Sequence, residues 1–385
     1  MNVGVVNAGS SSLKYRVLAL PEGGAEGAPG EILAEGLIDR IGVAGSGDSA
    51  PEVPDHDAAL ARMLADVAGI AIDAVGHRVV HGGERFDAPT LVDDGVEAAI
   101  EELAELAPLH NPPALAGIRA ARRALPGVPQ VAVFDTAFHR TLPPEAATYA
   151  LDLDLARAHG VRRYGFHGTS YRYVAGATAR FLGRPLADLR LVVLHLGNGA
   201  SACAIAGGRS IDTSMGLTPL AGLVMGTRSG DVDPGALLHL ARVAGLGADE
   251  LDALLNRRSG LLGLSGHADM REVVAAAEAG DERAELALGV MAHRARHYVG
   301  GYAAALGGLD ALVFTAGIGE NSPEVRTRIV GGLAALGLEL DPGRNRGPER
   351  GPRDLSAEGA RARTLVIPTD EELEIARQTL EVVGG

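Results

Sequence analysis

The chain has 385 residues, 46% of them hydrophobic, and a formal net charge of −14. Its length predicts two or three domains, and its acidity excludes a nucleic-acid surface, which needs a basic face to neutralise phosphates. With six Phe, seven Tyr and no Trp, the core must be built from Ala, Leu and Val. In chain order, apolar runs at 3–6, 15–20, 73–80, 130–134, 191–196 and 311–315 read as strands. Segments with helical spacing fall at 97–107, 114–125, 170–182 and 281–306. This alternation predicts α/β layers. "HNPPALAG" (110–117) reads as a helix start, with Asn111 as cap and prolines in the first turn. Residues 21–55 and 341–360, rich in Gly, Pro and charge, read as loop excursions. The one cysteine, Cys203, fits a reducing, cytoplasmic location. The run 191–208 is too rich in Gly, His and Asn for a membrane span, and the chain opens into a strand pattern rather than a signal-peptide plan.

"VGVVNAGSSSLKYRVLAL" (3–20) and "LVVLHLGNGASACAIAGG" (191–208) share a plan: an apolar strand, a Gly-and-Ser/Asn turn, then an alternating run that returns beside the first. Each reads as a β-hairpin whose turn offers backbone N–H groups to an anion. The pair points either to a duplicated chain or to two hairpins of ordinary likeness. Of 35 Lys and Arg residues, only Lys14 is lysine. A compact ammonium is not interchangeable with a guanidinium fork, so a chain that otherwise uses arginine suggests that arginine does not fit there; a chance survivor on a solvated face is the alternative. The stretch is not a Walker A loop. "HLGNG" (195–199) and "AGIGENS" (316–322) are further glycine turns after strands, and together the three suggest a nucleotide cradle.

Five polar clusters stand out. Arg78 lies in the Val-rich "GHRVVHGGERF", and Asp135 ends the strand of "VAVFDTAFHRTLP". His167 sits in "YGFHGTSYRY", Arg228 in the mobile-looking "TPLAGLVMGTRSGDVDPG", and Glu371 opens the helix of "PTDEELEIA". Taken singly, each also has an ordinary explanation: an ion pair, a turn cap, a buried histidine, a loop arginine, a helix-dipole partner. Five of the six phenylalanines lie in or beside these stretches or the third glycine turn, which suggests walls around a small pocket. No Cys/His metal spacing and no Gly-x-Ser-x-Gly elbow with a credible triad is present. A hard cation such as Mg²⁺ would be held by oxygens and phosphates.

In the family's order and near its spacing run "NAGSSSLKY", "GHRVVHGG", "LHNPP", "FDTAFH", "YGFHGTS", "HLGNG", "MGTRSGDVDPG", "GIGEN" and "TDEEL". Across nearly its whole length the sequence resembles the acetate and propionate kinase family. The resemblance implies the α/β fold shared with sugar kinases, actin and the Hsp70 ATPase: two duplicated ribonuclease-H-like domains around a nucleotide cleft. Domain boundaries are expected at 1–147 plus 371–385 and at 148–370. A homodimer in the cytoplasm, with no nucleic acid or membrane partner, is also implied.

The resemblance further implies that Asn7 and Glu371 hold Mg²⁺, with Mn²⁺ as an alternative. Lys14, the turn His195, Leu196, Gly197, Asn198 and Gly199, the stretch Asp269, Met270 and Arg271, and the turn Gly317, Ile318, Gly319, Glu320 and Asn321 match nucleotide-contacting segments. Arg78 matches the residue on the substrate carboxylate. Val80, Leu109, Phe166 and Pro219 match the pocket around its methyl. Asp135 matches the family's active-site acid; His167 and Arg228 match transition-state stabilisers. "SGHADMREV" (265–273) departs from the family with His267 and Met270, which touches the adenosine contact and not the phosphate chemistry. The implied reaction is ATP and acetate giving ADP and acetyl phosphate by direct in-line transfer. Acetate is already ionised at neutral pH, so Asp135 is expected to orient an arginine or the Mg²⁺ shell rather than to take a proton. The two domains are expected to close and exclude water.

Overall fold

In a computed structural model of the chain, residues 1–9, 11–21, 30–42 and 52–384 are described. They form two compact units. The first comprises Met1–Arg140, Gly168–Tyr173 and Asp370–Gly385; the second comprises Thr141–His167 and Val174–Thr369.

The first unit holds β1 (Asn2–Ala8), β2 (Ser12–Ala19), β3 (Glu31–Asp39), β4 (Ala74–Val79), β5 (Thr90–Leu91) and β6 (Gln130–Phe134). Their order in the sheet is β3-β2-β1-β4-β6-β5. The second unit holds β7 (Arg190–Leu196), β8 (Ala200–Ala206), β9 (Arg209–Thr213), β10 (Ala311–Thr315), β11 (Arg353–Asp354) and β12 (Arg363–Val366), ordered β11-β12-β10-β7-β8-β9. Read from the edge strand inward, the two orders are the same. In each unit an antiparallel three-strand meander is followed by two strands parallel to the first, and a short antiparallel edge strand ends the sheet. Both glycine-rich stretches are hairpins, with Asn7 opposite Lys14 and His195 opposite Ser201. The chain is therefore a duplication of a ribonuclease-H-like α/β unit.

Strand alternation explains how the first sheet is covered. Val3, Val5, Val131 and Val133 pack with Leu373, Ile375, Ala376 and Leu380 of the helix Glu371–Val383. Val6, Leu13, Tyr15 and Val17 pack with Ala59, Leu60 and Met63 of the helix His56–Asp66 and with Ala120 and Ala121 of the helix Asn111–Ala124. Gly76 in β4 lets the 371–383 helix come close: a Cβ there would stand 2.7 Å from the Ile375 side chain and 2.3 Å from the Thr379 hydroxyl. That close approach seats Glu371, the first residue of the helix, by the sheet.

Several sequence expectations need correction. The excursion 21–55 contains β3, which pairs along β2. It is an edge strand with only Ile38 buried, so it carries no apolar alternation to read. Residues 22–29 and 43–51, also within that excursion, lie outside the described residues, as does Ser10 of the first glycine turn. The excursion 341–360 contains the helix Pro342–Arg346, capped by Asp341, and β11. Asn111 is not a cap; the residue before the helix is His110, and Asn111 is fully buried. Its amide accepts from the His81 N–H at 3.1 Å and donates to the His81 carbonyl at 3.0 Å. "AGIGENS" is not an open turn: Ala316–Asn321 is a short helix that starts directly after β10, with Ala316 at φ +62°. Phe86, Phe134 and Phe314 are core residues rather than pocket walls. Phe86 and Phe134 stack at 4.3 Å inside the first unit, and Phe314 is fully buried in β10.

Candidate active site

In the first unit the functional side chains stand at strand ends and at one helix start. Arg78 is near the end of β4 and Asp135 directly follows β6, its parallel neighbour. Asp135 is 1% exposed and accepts from Arg78 Nε at 3.1 Å and from Nη2 at 2.7 Å. This bidentate pair fixes the plane of the guanidinium. Glu371 lies 3.9 Å from Arg78 Nε. Burial opposes the charge on Arg78, but Asp135 and Glu371 outweigh it and push the guanidinium pKa up. Burial pushes the Glu371 carboxyl up, and Arg78 only partly offsets this. Lys14 on β2 pairs with Glu372. Burial works against the Glu372 charge, yet the Lys14 ammonium holds its carboxyl below the usual range. Arg16 binds Asp370 at 2.9 Å, so the start of the 371–383 helix is tied to β2 by two cations.

Asn7 and Glu371 offer oxygen donors of the kind Mg²⁺ or Mn²⁺ accepts. Glu371 is a desolvated carboxylate, crowded by Asp135 and Glu372, whose charge a cation would stabilise. The residues present thus fit a hard divalent ion. Among the described residues there is no group of three or more His, Cys, Asp or Glu that could hold a metal unaided.

The second unit carries a different arrangement. The β7–β8 turn brings Gly199 beneath two side chains. A Cβ on Gly199 would stand 2.7 Å from Arg228 Nη2 and 3.6 Å from His167 Nε2, so both groups converge over this glycine. His167 takes φ +58°, immediately before the helix Gly168–Leu182. Its Nδ1 lies 2.7 Å from the Ser201 hydroxyl, and its ring stacks on His195 with centroids 4.1 Å apart. Arg228 Nη1 donates to the Pro219 carbonyl at 2.6 Å. Burial pushes the Arg228 pKa down, and among the described residues no carboxylate pairs with it. A desolvated guanidinium of this kind is suited to an incoming anion. The loop that carries it is not mobile-looking in the structure: residues 222–226 are buried, and Met225 N donates to the Arg228 carbonyl at 3.1 Å.

Beside this group lies a cleft of about 990 Å³. Gly197, Asn198, Asp269, Met270, Arg271, Gly317, Ile318 and Asn321, all flagged from sequence, line it. Asp269 caps the helix Met270–Glu278, and Arg271 folds back onto Asp269. His195 and Leu196 are buried in β7. Gly319 and Glu320 do not line the cleft; their carbonyls accept from the buried Arg326 at 2.8 and 2.9 Å. Val274, Glu278 and Arg346 also line the cleft and were missed. Val274 and Glu278 follow Met270 at steps of four, a helical face that the spacing could have given. Arg326 carried no sequence signal, since one arginine in an arginine-rich chain looks like any other. Of the four expected methyl-pocket residues, Val80 and Leu109 belong to the first unit, and Phe166 and Pro219 to the second. Leu109 is 56% exposed and Phe166 1%.

The acetokinase family model matches residues 2–377. The chain belongs to the acetokinase family. It is 60% identical over 398 aligned residues to an acetate kinase of Leifsonia xyli subsp. xyli, covering 99% of this chain and 98% of that one. The crystal structure of Porphyromonas gingivalis acetate kinase matches with a TM-score of 0.91 and 42% identity, over 99% of each chain. A propionate kinase from Francisella tularensis subsp. tularensis matches with a TM-score of 0.90 and 39% identity, again over 99% of each chain.

Proposed function

We propose that this acetokinase-family chain transfers the γ-phosphoryl group of ATP to the carboxylate of acetate, giving ADP and acetyl phosphate, reversibly and without a phosphoenzyme. The observation that carries the reading is Arg228: a partly buried guanidinium with no carboxylate partner among the described residues, converging with His167 Nε2 over Gly199 beside a nucleotide-sized cleft. Both reactants are anions, so the protein's work is alignment and cationic stabilisation. Arg78, held flat by Asp135, grips the acetate carboxylate. Arg228 and His167 donate to the equatorial oxygens of a metaphosphate-like transition state. The glycine turns at 197–199 and 317–321, with Asp269–Arg271, hold the nucleotide. Lys14 places a point charge at its phosphate end, and Val80, Leu109, Phe166 and Pro219 enclose the methyl group. Asn7 and Glu371 hold Mg²⁺ or Mn²⁺, which when bound neutralises charge on the ATP phosphates. Asp135 takes no proton, because acetate arrives ionised.

Among the described residues no helix is long and apolar enough to cross a membrane; a cytoplasmic setting, with Cys203 reduced, goes with the reading. So does a homodimer. The helix Pro234–Ala244 buries none of its residues, although Leu238 and Val243 are 62% and 65% exposed, and a second copy of the chain is its occupant. Leu238→Glu is expected to halve the mass seen by sedimentation; an unchanged mass rules this face out.

The activity is tested by incubating the protein with Mg-ATP, hydroxylamine and acetate, propionate or butyrate. The reading expects acyl hydroxamate to accumulate. One methylene in an apolar pocket is worth about 1–3 kcal/mol, so propionate is also expected to react, more slowly. ATP binding without hydroxamate would make the chain a nucleotide-gated scaffold instead.

A further inference from the structure

Arg228 sits in an excursion, residues 222–231, whose neck is closed by Asp231. One Asp231 carboxylate oxygen accepts from the Gly222 N–H at 2.7 Å, and the Asp231 N–H donates to the Gly222 carbonyl at 3.0 Å. The neck is thus tied in both directions. The other carboxylate oxygen accepts from the Tyr298 hydroxyl at 2.6 Å, and Arg294 stands 3.8 Å away. Both partners belong to the 24-residue helix Glu282–Ala305. Inside the neck there is little freedom. Ser229 N donates to the Leu255 carbonyl at 3.0 Å. Gly230 takes φ +70°, where a Cβ would stand 2.5 Å from the Gly222 and Leu223 carbonyls. The loop is also held from the 259–262 segment, where the Ser259 and Leu261 N–H groups donate to the Thr227 and Met225 carbonyls at 3.0 and 2.9 Å, but among the described residues its hydrogen-bonded link to the long helix runs through Asp231.

We infer that Tyr298, acting through Asp231, is a positioning residue for Arg228: the phenol hydrogen bond fixes the neck of the loop and so fixes where the guanidinium stands. This rests on the assignment of Arg228 to the phosphoryl group made above. A bond from a hydroxyl to a carboxylate is charge-assisted and roughly twice as strong as a neutral one. Burial, reinforced by Asp231, pushes the phenol pKa up, so Tyr298 remains a donor across the neutral range. A misplacement of about 1 Å at a reacting group can cost on the order of 10²-fold in rate, so a single bond at the neck is enough to be seen in kcat. Phenylalanine at 298 keeps the ring, which meets Tyr302 edge-on at 5.5 Å, and removes only the hydroxyl.

Tyr298→Phe is expected to lower kcat about tenfold while both KM values stay within about twofold. Asp231→Asn can still accept from Gly222 N–H and bond the phenol, so it should retain more activity than Asp231→Ala. The decisive comparison is made in an Arg228→Ala background, where adding Tyr298→Phe should leave the residual kcat unchanged because the group it positions is gone. An undiminished kcat in Tyr298→Phe overturns the inference. So does an equal loss in both backgrounds, which would place the effect elsewhere. If Arg228→Ala itself keeps full kcat, the parent assignment fails instead, and the two failures are told apart. Thermal melting of each variant separates lost positioning from lost fold.

Discussion

Arg78 gives Asp135 two hydrogen bonds, from Nε at 3.1 Å and from Nη2 at 2.7 Å, and Asp135 is 1% exposed. A carboxylate so engaged holds the guanidinium in place, and the proposed function gives it that role rather than a base's. Asp135→Asn is expected to lower kcat/KM for acetate by roughly 10²-fold and to leave the shape of the pH–rate profile unchanged. Loss of an ionisation limb from that profile would assign Asp135 a proton-transfer role. Near-normal turnover would deny it even the orienting one.

Arg228 has a different signature. Arg228→Ala should reduce kcat by about 10³-fold with little change in the nucleotide KM, because the proposed interaction is one made only when charge spreads over the transferring oxygens. A loss confined to KM would place the guanidinium on the ground-state nucleotide.

Gly199→Ala separates site geometry from stability. The added methyl would stand 2.7 Å from Arg228 Nη2, the far end of a flexible side chain. The guanidinium can swing away, so unfolding free energy should change by less than about 1 kcal/mol, while kcat falls by at least about tenfold. Normal turnover in this variant would show that the convergence of Arg228 and His167 over Gly199 is not used.

His77 gives a pH dependence of stability. It is buried in β4 with Nε2 2.7 Å from Gln130 Oε1, and burial pushes its pKa from 6.5 to about 4. The folded chain keeps it neutral, whereas the unfolded chain takes up a proton below pH 6.5. Its contribution is therefore complete above pH 6.5 and is lost as pH falls toward 4, by up to about 3 kcal/mol. Urea midpoints at pH 7.5 and 4.5 should diverge more for the parent chain than for His77→Gln. Equal divergence would assign the acid sensitivity to other groups.

Much of the fold was legible because its central strands, covered on both faces, are written as short unbroken apolar runs. β1, β4, β6, β7 and β10 are nearly continuous apolar strands and stood out, whereas β3 has one buried residue and did not. The hairpin likeness was visible, but sequence alone could not separate kinship from coincidence; the matching strand orders do. Asn111 shows a different limit. An Asn before two prolines has the chemistry of a cap, and only tertiary structure reveals that its amide is spent on His81. The candidate site residues were named through motif resemblance. The supports that hold them were not: Asp231, Tyr298 and Arg326 are common residue types whose value lies in where the fold sends them.

Lys14 is the sequence feature with the least ambiguous test. Its ammonium meets Glu372, and it is half-exposed. Lys14→Arg, which keeps the charge, should raise the ATP KM nearly as much as Lys14→Met does, because a planar fork does not replace a compact ammonium there. Full rescue by arginine would make the lone lysine an accident.

The stereochemical course at phosphorus tests the central claim most directly. With ATP made chiral at the γ-phosphorus by oxygen isotopes, direct transfer between the two bound anions predicts that acetyl phosphate forms with inversion. Retention would mean an even number of displacements through a phosphorylated side chain, and would contradict the account.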